Sequence, residues 1–204
     1  MKSGWLYAGA ALVAAVMFVL VQTDPGSAQQ KKGSAKKNQI ERGAYLVNLA
    51  GCNDCHSPKN FTAMGPIPDT TKLMSGHPST TKLPEVPKDV LGPDKWGGLF
   101  TNDLTGWAGP WGISFARNLT PDVGTGLGSW TEDIFIKAIR TGKDMGERRD
   151  ILPPMPWPFY SKMKDDDLKA IFAYLQSLPP IENTVPDPIS PTGEHLPTLS
   201  SPKK

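Results

Sequence analysis

Cys52, Cys55 and His56 stand in a Cys-x-x-Cys-His pattern, and few chemistries fit that spacing. Two thiols three positions apart can each add across one vinyl group of a porphyrin. The imidazole that follows is placed to ligate the iron from one face, so the pattern reads as covalent attachment of a haem. Competing uses of the same residues fit less well. A dithiol redox motif belongs near a βαβ pattern, and the chain has no run of β-branched strands to supply one. A zinc site needs four ligands, and the whole chain holds two Cys and three His, with His77 and His195 in Pro-rich surroundings.

An iron held by His56 on one face raises the question of the opposite face. Met155 lies in Pro153-Pro154-Met155-Pro156, where flanking prolines restrict the backbone and suit a side chain that must be presented to something fixed. A thioether is a soft neutral ligand that haem iron accepts opposite His. Met145 and Met163 are alternative thioethers, and His77 would give a bis-His iron.

The elements expected to position these residues are helices. Ile40–Ala50 reads as a short helix leading into the haem motif, with Ile40, Ala44 and Val47 at helical spacing. Gly43 inside it costs about 1 kcal/mol relative to Ala, which points to close packing against another element. A second helix is expected over Glu132–Thr141, started by Ser129 or Thr131, stopped by Gly142, and buried through Ile134, Phe135, Ala138 and Ile139. A third runs from about Asp165 to Leu178. Its first turn is acidic, its apolar stripe is Leu168, Ile171, Phe172, Leu175 and Leu178, and Pro179-Pro180 ends it. The helix carrying Gly43 is the expected partner of that stripe.

Between Ser57 and Phe115 no periodic run is long enough to assign. The stretch reads as a long Pro- and Gly-rich wrapping segment, in which Trp96, Trp107 and Trp111 serve packing and Gly65-Pro66 is one candidate to orient the His56 ring. With 20 Gly and 21 Pro in 204 residues, the reading is one all-α domain of few helices, with irregular segments wrapped around the cofactor. The net charge of +2 and the lack of an aromatic-interleaved basic stripe point away from nucleic acid.

The chain opens with Lys2 and an apolar run from Trp5 to Val21, followed by small residues before Gln29. Residues 1–28 therefore read as a signal peptide cleaved after Ala28 or as an N-terminal membrane anchor. Either places the bulk of the protein across the membrane, in the periplasm. Residues 29–38 read as a flexible polar linker, 39–181 as the folded domain and 182–204 as a Pro-rich tail.

With Cys52, Cys55 and His56 after an N-terminal helix, the Pro-Met-Pro loop and a terminal amphipathic helix, the chain resembles a class I, monohaem cytochrome c. Asn118–Asp122, Thr125–Thr131, Pro153–Pro156 and Leu168–Leu175 are similar to segments of bacterial periplasmic or membrane-anchored cytochromes c, including cytochrome subunits of dehydrogenases. The resemblance implies the cytochrome c fold, crossed first and last helices with Gly43 against the Phe172 and Leu175 region, one covalent haem c, and His56 and Met155 as axial ligands. It departs from small cytochromes c in the long Pro- and Gly-rich separation of those two ligands. An iron with both axial positions filled by protein moves single electrons, between a dehydrogenase or quinol-oxidising donor and an oxidase or reductase. Two other readings remain: a haem enzyme with an open distal site acting on peroxide or a sulfur compound, with Arg117 and His77 as candidate distal groups, and a haem sensor or structural subunit.

Overall fold

The computed structural model describes residues 25–196; the apolar run expected as a signal or anchor lies outside them. Among the described residues no helix is long and apolar enough to cross a membrane. The first helix, α1 (Pro25–Leu49), is longer than the sequence suggests and takes in the polar stretch 29–38, of which residues 29, 30 and 32–38 are exposed. Its C-terminal half turns Gly43, Leu46 and Val47 inward. A left-handed Gly51 (φ 67°) then breaks the chain direction and starts the five-residue α2 (Cys52–His56).

The remaining helices are α3 (Glu132–Thr141), α4 (Trp157–Tyr160) and α5 (Asp165–Leu175). Thr131 rather than Ser129 caps α3, its hydroxyl accepting from Ile134 N at 3.3 Å, and Gly142 closes the helix in the left-handed conformation. The chief helix contact is α1 across α5. A Cβ at Gly43 would stand 1.9 Å from the carbonyl oxygen of Ala170 and 2.7 Å from Tyr174 Cβ, so the crossing exists only because residue 43 has no side chain. The core gathers Leu46 and Val47 of α1, Phe135 and Ile139 of α3, and Leu168, Ile171, Phe172 and Leu175 of α5. Arg42 reaches over the same crossing to Asp167.

The all-α expectation does not hold: the protein is mixed α/β. The segment between Ser57 and Phe115 contains five short strands in two antiparallel sheets. β1 (Lys59–Thr62) and β2 (Gly65–Pro68) form a hairpin, and β3 (Leu99–Phe100), β4 (Gly106–Gly109) and β5 (Gly112–Phe115) form a three-stranded sheet in that order. These strands are two to four residues long and contain Gly, Pro and Trp instead of an alternating β-branched run. They have no period for sequence reasoning to detect.

After α5 the chain continues as a strap. Asn183 Nδ2 donates to the carbonyls of Ser75 (2.7 Å) and His77 (2.9 Å), and Ile189 exchanges both backbone hydrogen bonds with Ile113 on the edge of β5. The sheet edge is thereby covered. Trp96, expected to pack, is 69% exposed.

Candidate functional site

The helices and the β segment enclose one cleft of about 1350 Å³, its open mouth included. Cys52, Cys55 and His56 of α2 and Met155 of the later Pro-rich loop all line it. Between them the walls are mostly apolar, with Phe115 and Trp107 from the sheet, Leu127 and Trp130 ahead of α3, Ile139 within it, and Leu168 and Ile171 of α5. Met163 also reaches the lining. Met145 and His77 do not: Met145 sits at φ 51° in the 3₁₀ turn Asp144–Gly146, and His77 is fully buried against the Phe115 ring, 4.8 Å away. Of the four side chains singled out in the sequence, Met155 and Met163 therefore face the cleft and Met145 and His77 do not.

α2 is held rigidly for its length. Ser57, fully buried at its end, donates to Asn53 Oδ1 at 3.0 Å and accepts from Met74 N at 2.9 Å, while Lys59 Nζ donates to the carbonyls of Asn53 and Ser57. Gly76 N donates to His56 O at 2.8 Å. The His56 ring is aimed by a residue that sequence reasoning missed. Nδ1 donates to the backbone carbonyl of Arg117 at 2.8 Å, which leaves Nε2 as the lone-pair nitrogen. Gly65-Pro66, the sequence candidate for this task, lies in the exposed β1–β2 hairpin instead. A backbone acceptor has no sequence signature of its own, but the Asn-Leu-Thr-Pro-Asp run beside Arg117 was a signal. Buried Asn118 bonds Thr120, Thr125 and the Ile181 carbonyl, and Leu119 N donates to Met74 O at 2.7 Å, fixing the segment that carries Arg117.

Burial lowers the His56 pKa, against the opposing pull of the Arg117 carbonyl bond, which favours the neutral ring. Burial also pushes the Cys52 thiol up to about 11, and burial with Asp54 raises Cys55. The two thiols are not joined to one another.

The Met155 loop is braced from both directions. Ile151 N donates to Gly142 O at 2.7 Å, and the Trp157 ring fills the space where a Cβ at Gly142 would stand. From the sheet, Ser114 Oγ donates to Pro153 O at 2.5 Å. Tyr160 of α4 donates to Ala50 O at 2.6 Å, tying the end of the distal loop to the end of α1 next to the cysteines.

A haem is a largely apolar plate with two carboxylates at one edge, and the residues present fit it. The lining is apolar apart from a few groups, and its formally charged side chains are Arg117, Asp144 and Arg149. Nε of Arg117 and Nε of Arg149 are buried with no partner among the described residues, so two guanidiniums and one carboxylate leave donors that call for an anion.

No family model matches the chain. The chain is 29% identical over 158 residues to the gluconate 2-dehydrogenase cytochrome c subunit of Pantoea cypripedii, covering 74% of this chain and 27% of that protein. It is 28% identical over 193 residues to the alcohol dehydrogenase (quinone) cytochrome c subunit of Gluconobacter oxydans, covering 92% and 30%, and 25% identical over 144 residues to the fructose dehydrogenase cytochrome subunit of Gluconobacter japonicus, covering 71% and 22%. The chain spans less than a third of the length of each of these relatives. Along most of its own length, it is related to the cytochrome subunits of dehydrogenases.

Proposed function

We propose that the chain is a one-electron carrier that holds a single haem c bonded to Cys52 and Cys55 and ligated by His56 and Met155. The observation that carries this reading is that two thiols, an imidazole and a thioether from distant parts of the sequence line one apolar cleft. Such a haem, when bound, supplies reversible one-electron chemistry at its iron, at a potential raised by Met/His ligation.

The protein's part is positioning and exclusion of water. The Arg117 carbonyl fixes the His56 tautomer and ring plane, and Ser114 and Gly142 hold the residues just ahead of Met155. Phe115, Trp107 and the α5 stripe keep the cleft dry. With a residue assigned to each face of the iron, substrate finds no open position, which favours a carrier over an enzyme. The relatives' names support a dehydrogenase as electron donor. The apolar run Trp5–Val21 supports a periplasmic location, either free or anchored.

Protein matured in a host with export and haem-attachment machinery is expected to give one haem per chain by pyridine haemochrome and a weak far-red band in the ferric state. Its reduced form should not bind carbon monoxide. Met155→Ala is expected to keep the haem, lose the band and admit carbon monoxide. An unaltered band in that variant assigns the distal role to Met163, and colourless wild-type protein ends the reading.

A further inference from the structure

Asp144 begins the 3₁₀ turn between α3 and the Met155 loop and is 4% exposed. One of its oxygens accepts from Nη1 of Arg117, the residue whose carbonyl aims His56. The other, Oδ2, is buried without a partner among the described residues. Its backbone is bound into the distal loop: Asp144 N donates to Arg149 O and Arg148 N donates to Asp144 O, both at 2.9 Å. Asp144 thus touches the segment that serves the proximal ligand and the loop that leads to the distal one. It does so from within a cleft whose other charged groups are Arg117 and Arg149. Arg117 also stands over the Trp130 ring, its guanidinium carbon 5.2 Å from the ring centroid.

We propose that this buried cluster sets the reduction potential of the haem through its charge, Asp144 holding the potential down and Arg149 holding it up. The inference rests on the carrier reading above. Ferric haem carries one more positive charge than ferrous haem. A fixed anion in the same low-dielectric cleft therefore favours the oxidised state and a fixed cation the reduced one. Water screens Asp144 little, since it is 4% exposed, and the part-buried Arg149 somewhat more, so the Asp144 effect is the larger. Asp144 is a positioning and tuning residue here, not a ligand.

The test is redox titration of matured wild-type protein and of Asp144→Asn, Asp144→Glu and Arg149→Gln, with haem content and the ferric far-red band read on the same samples. Asp144→Asn is expected to raise the potential by about a tenfold change in the reduction equilibrium, 59 mV for a one-electron couple. Asp144→Glu, which keeps the charge, should stay near wild type, and Arg149→Gln should fall. A purely structural role would move Asp144→Glu as much as Asp144→Asn, or would move Asp144→Asn and Arg149→Gln in the same direction, and either result overturns the proposal. If Asp144→Asn yields no holoprotein, Arg149→Gln decides: a lowered potential with an intact band supports the cluster and an unchanged one overturns it. Haem-loaded variants with wild-type potentials sink the charge cluster alone, whereas a colourless wild type sinks the carrier reading with it.

Discussion

The helical frame of α1, α3 and α5 and the segment from Ser57 to Phe115 enclose the same cleft by opposite means. The frame is held by apolar side chains: Leu46, Val47, Leu168, Ile171, Phe172 and Leu175 bury each other across a crossing that Gly43 lets close. Each such side chain contributes about 1.5–3 kcal/mol on full burial. The inserted segment buries little of that kind. It is pinned by polar knots: Thr105 bridges His77 and Asp103, Asn183 holds the backbone on either side of Gly76, and Ser57 joins α2 to Met74. The difference corresponds to a division of labour. The apolar frame sets where the cysteines stand, and the polar knots set the direction of individual groups, the Arg117 carbonyl toward His56 and the Pro153 carbonyl toward Ser114.

The comparison breaks most readily at Gly43. A methyl group there meets a backbone carbonyl carbon at 2.6 Å as well as its oxygen at 1.9 Å, and neither can rotate away, so the helices must separate. Gly43→Ala is expected to cost on the order of 3 kcal/mol or more in chemical unfolding, with lowered haem incorporation, because the α1–α5 crossing rests on apolar packing and the partly exposed Arg42–Asp167 pair beside it adds little. Unfolding midpoints equal to wild type would show that the frame yields more easily than its close packing implies.

The inserted segment should instead respond to acid. His77 donates through Nδ1 to Thr105 Oγ1 at 2.7 Å, because the Thr105 hydroxyl proton goes to Asp103, and its Nε2 is buried without a partner among the described residues. Burial lowers the His77 pKa below 6.5, with Asp103 pulling the other way, and the Phe115 ring closes another side. Between the folded value and 6.5 the unfolded chain takes a proton that the native chain refuses, so stability present above 6.5 is lost as the pH falls through that window. Asp103, held below its ordinary 3.8 by bonds from Thr101 and Thr105 against the effect of burial, adds its own loss only at lower pH. Urea midpoints are expected to fall from pH 7.5 to pH 5.5 in the wild type and to fall less in His77→Gln. Parallel slopes would remove His77 from the account.

The same division explains what could be read in advance. Cys52, Cys55 and His56 stand out by spacing and Met155 by its prolines, and all four line one cleft, while α3 and α5 show an apolar period that survives almost residue for residue. Leu46 was harder to see, because Gly43 occupies the stripe position where an apolar residue would have marked the face. The sheets, the Arg117 carbonyl and the Asp144 cluster were not visible. A two- to four-residue strand has no measurable period, a carbonyl is carried by every residue, and Arg117 meets Asp144 across a turn region and a helix with nothing local to link them. Packing repeats along a chain and so leaves a pattern, whereas a polar knot is made once, between distant residues.

The smallest expected effect lies in the hairpin. Phe61 is 62% exposed and faces Pro66 across the ladder, Ile67 is 51% exposed opposite Asn60, and Met64 at the turn is almost wholly in solvent. If apolar residues stabilised the inserted segment as they do the frame, Phe61→Ser and Ile67→Thr would be costly. They are expected to change stability by less than about 0.5 kcal/mol, because neither side chain leaves a buried environment and the hairpin is held by backbone pairing and by the Thr62 hydroxyl donating to Gly65 O at 2.8 Å. Chemical unfolding of the two variants checks it. A loss near 2 kcal/mol in either would mean that the hairpin is anchored by its aromatic and aliphatic residues, and the contrast between the two regions would then stop at Pro68 instead of covering the whole segment.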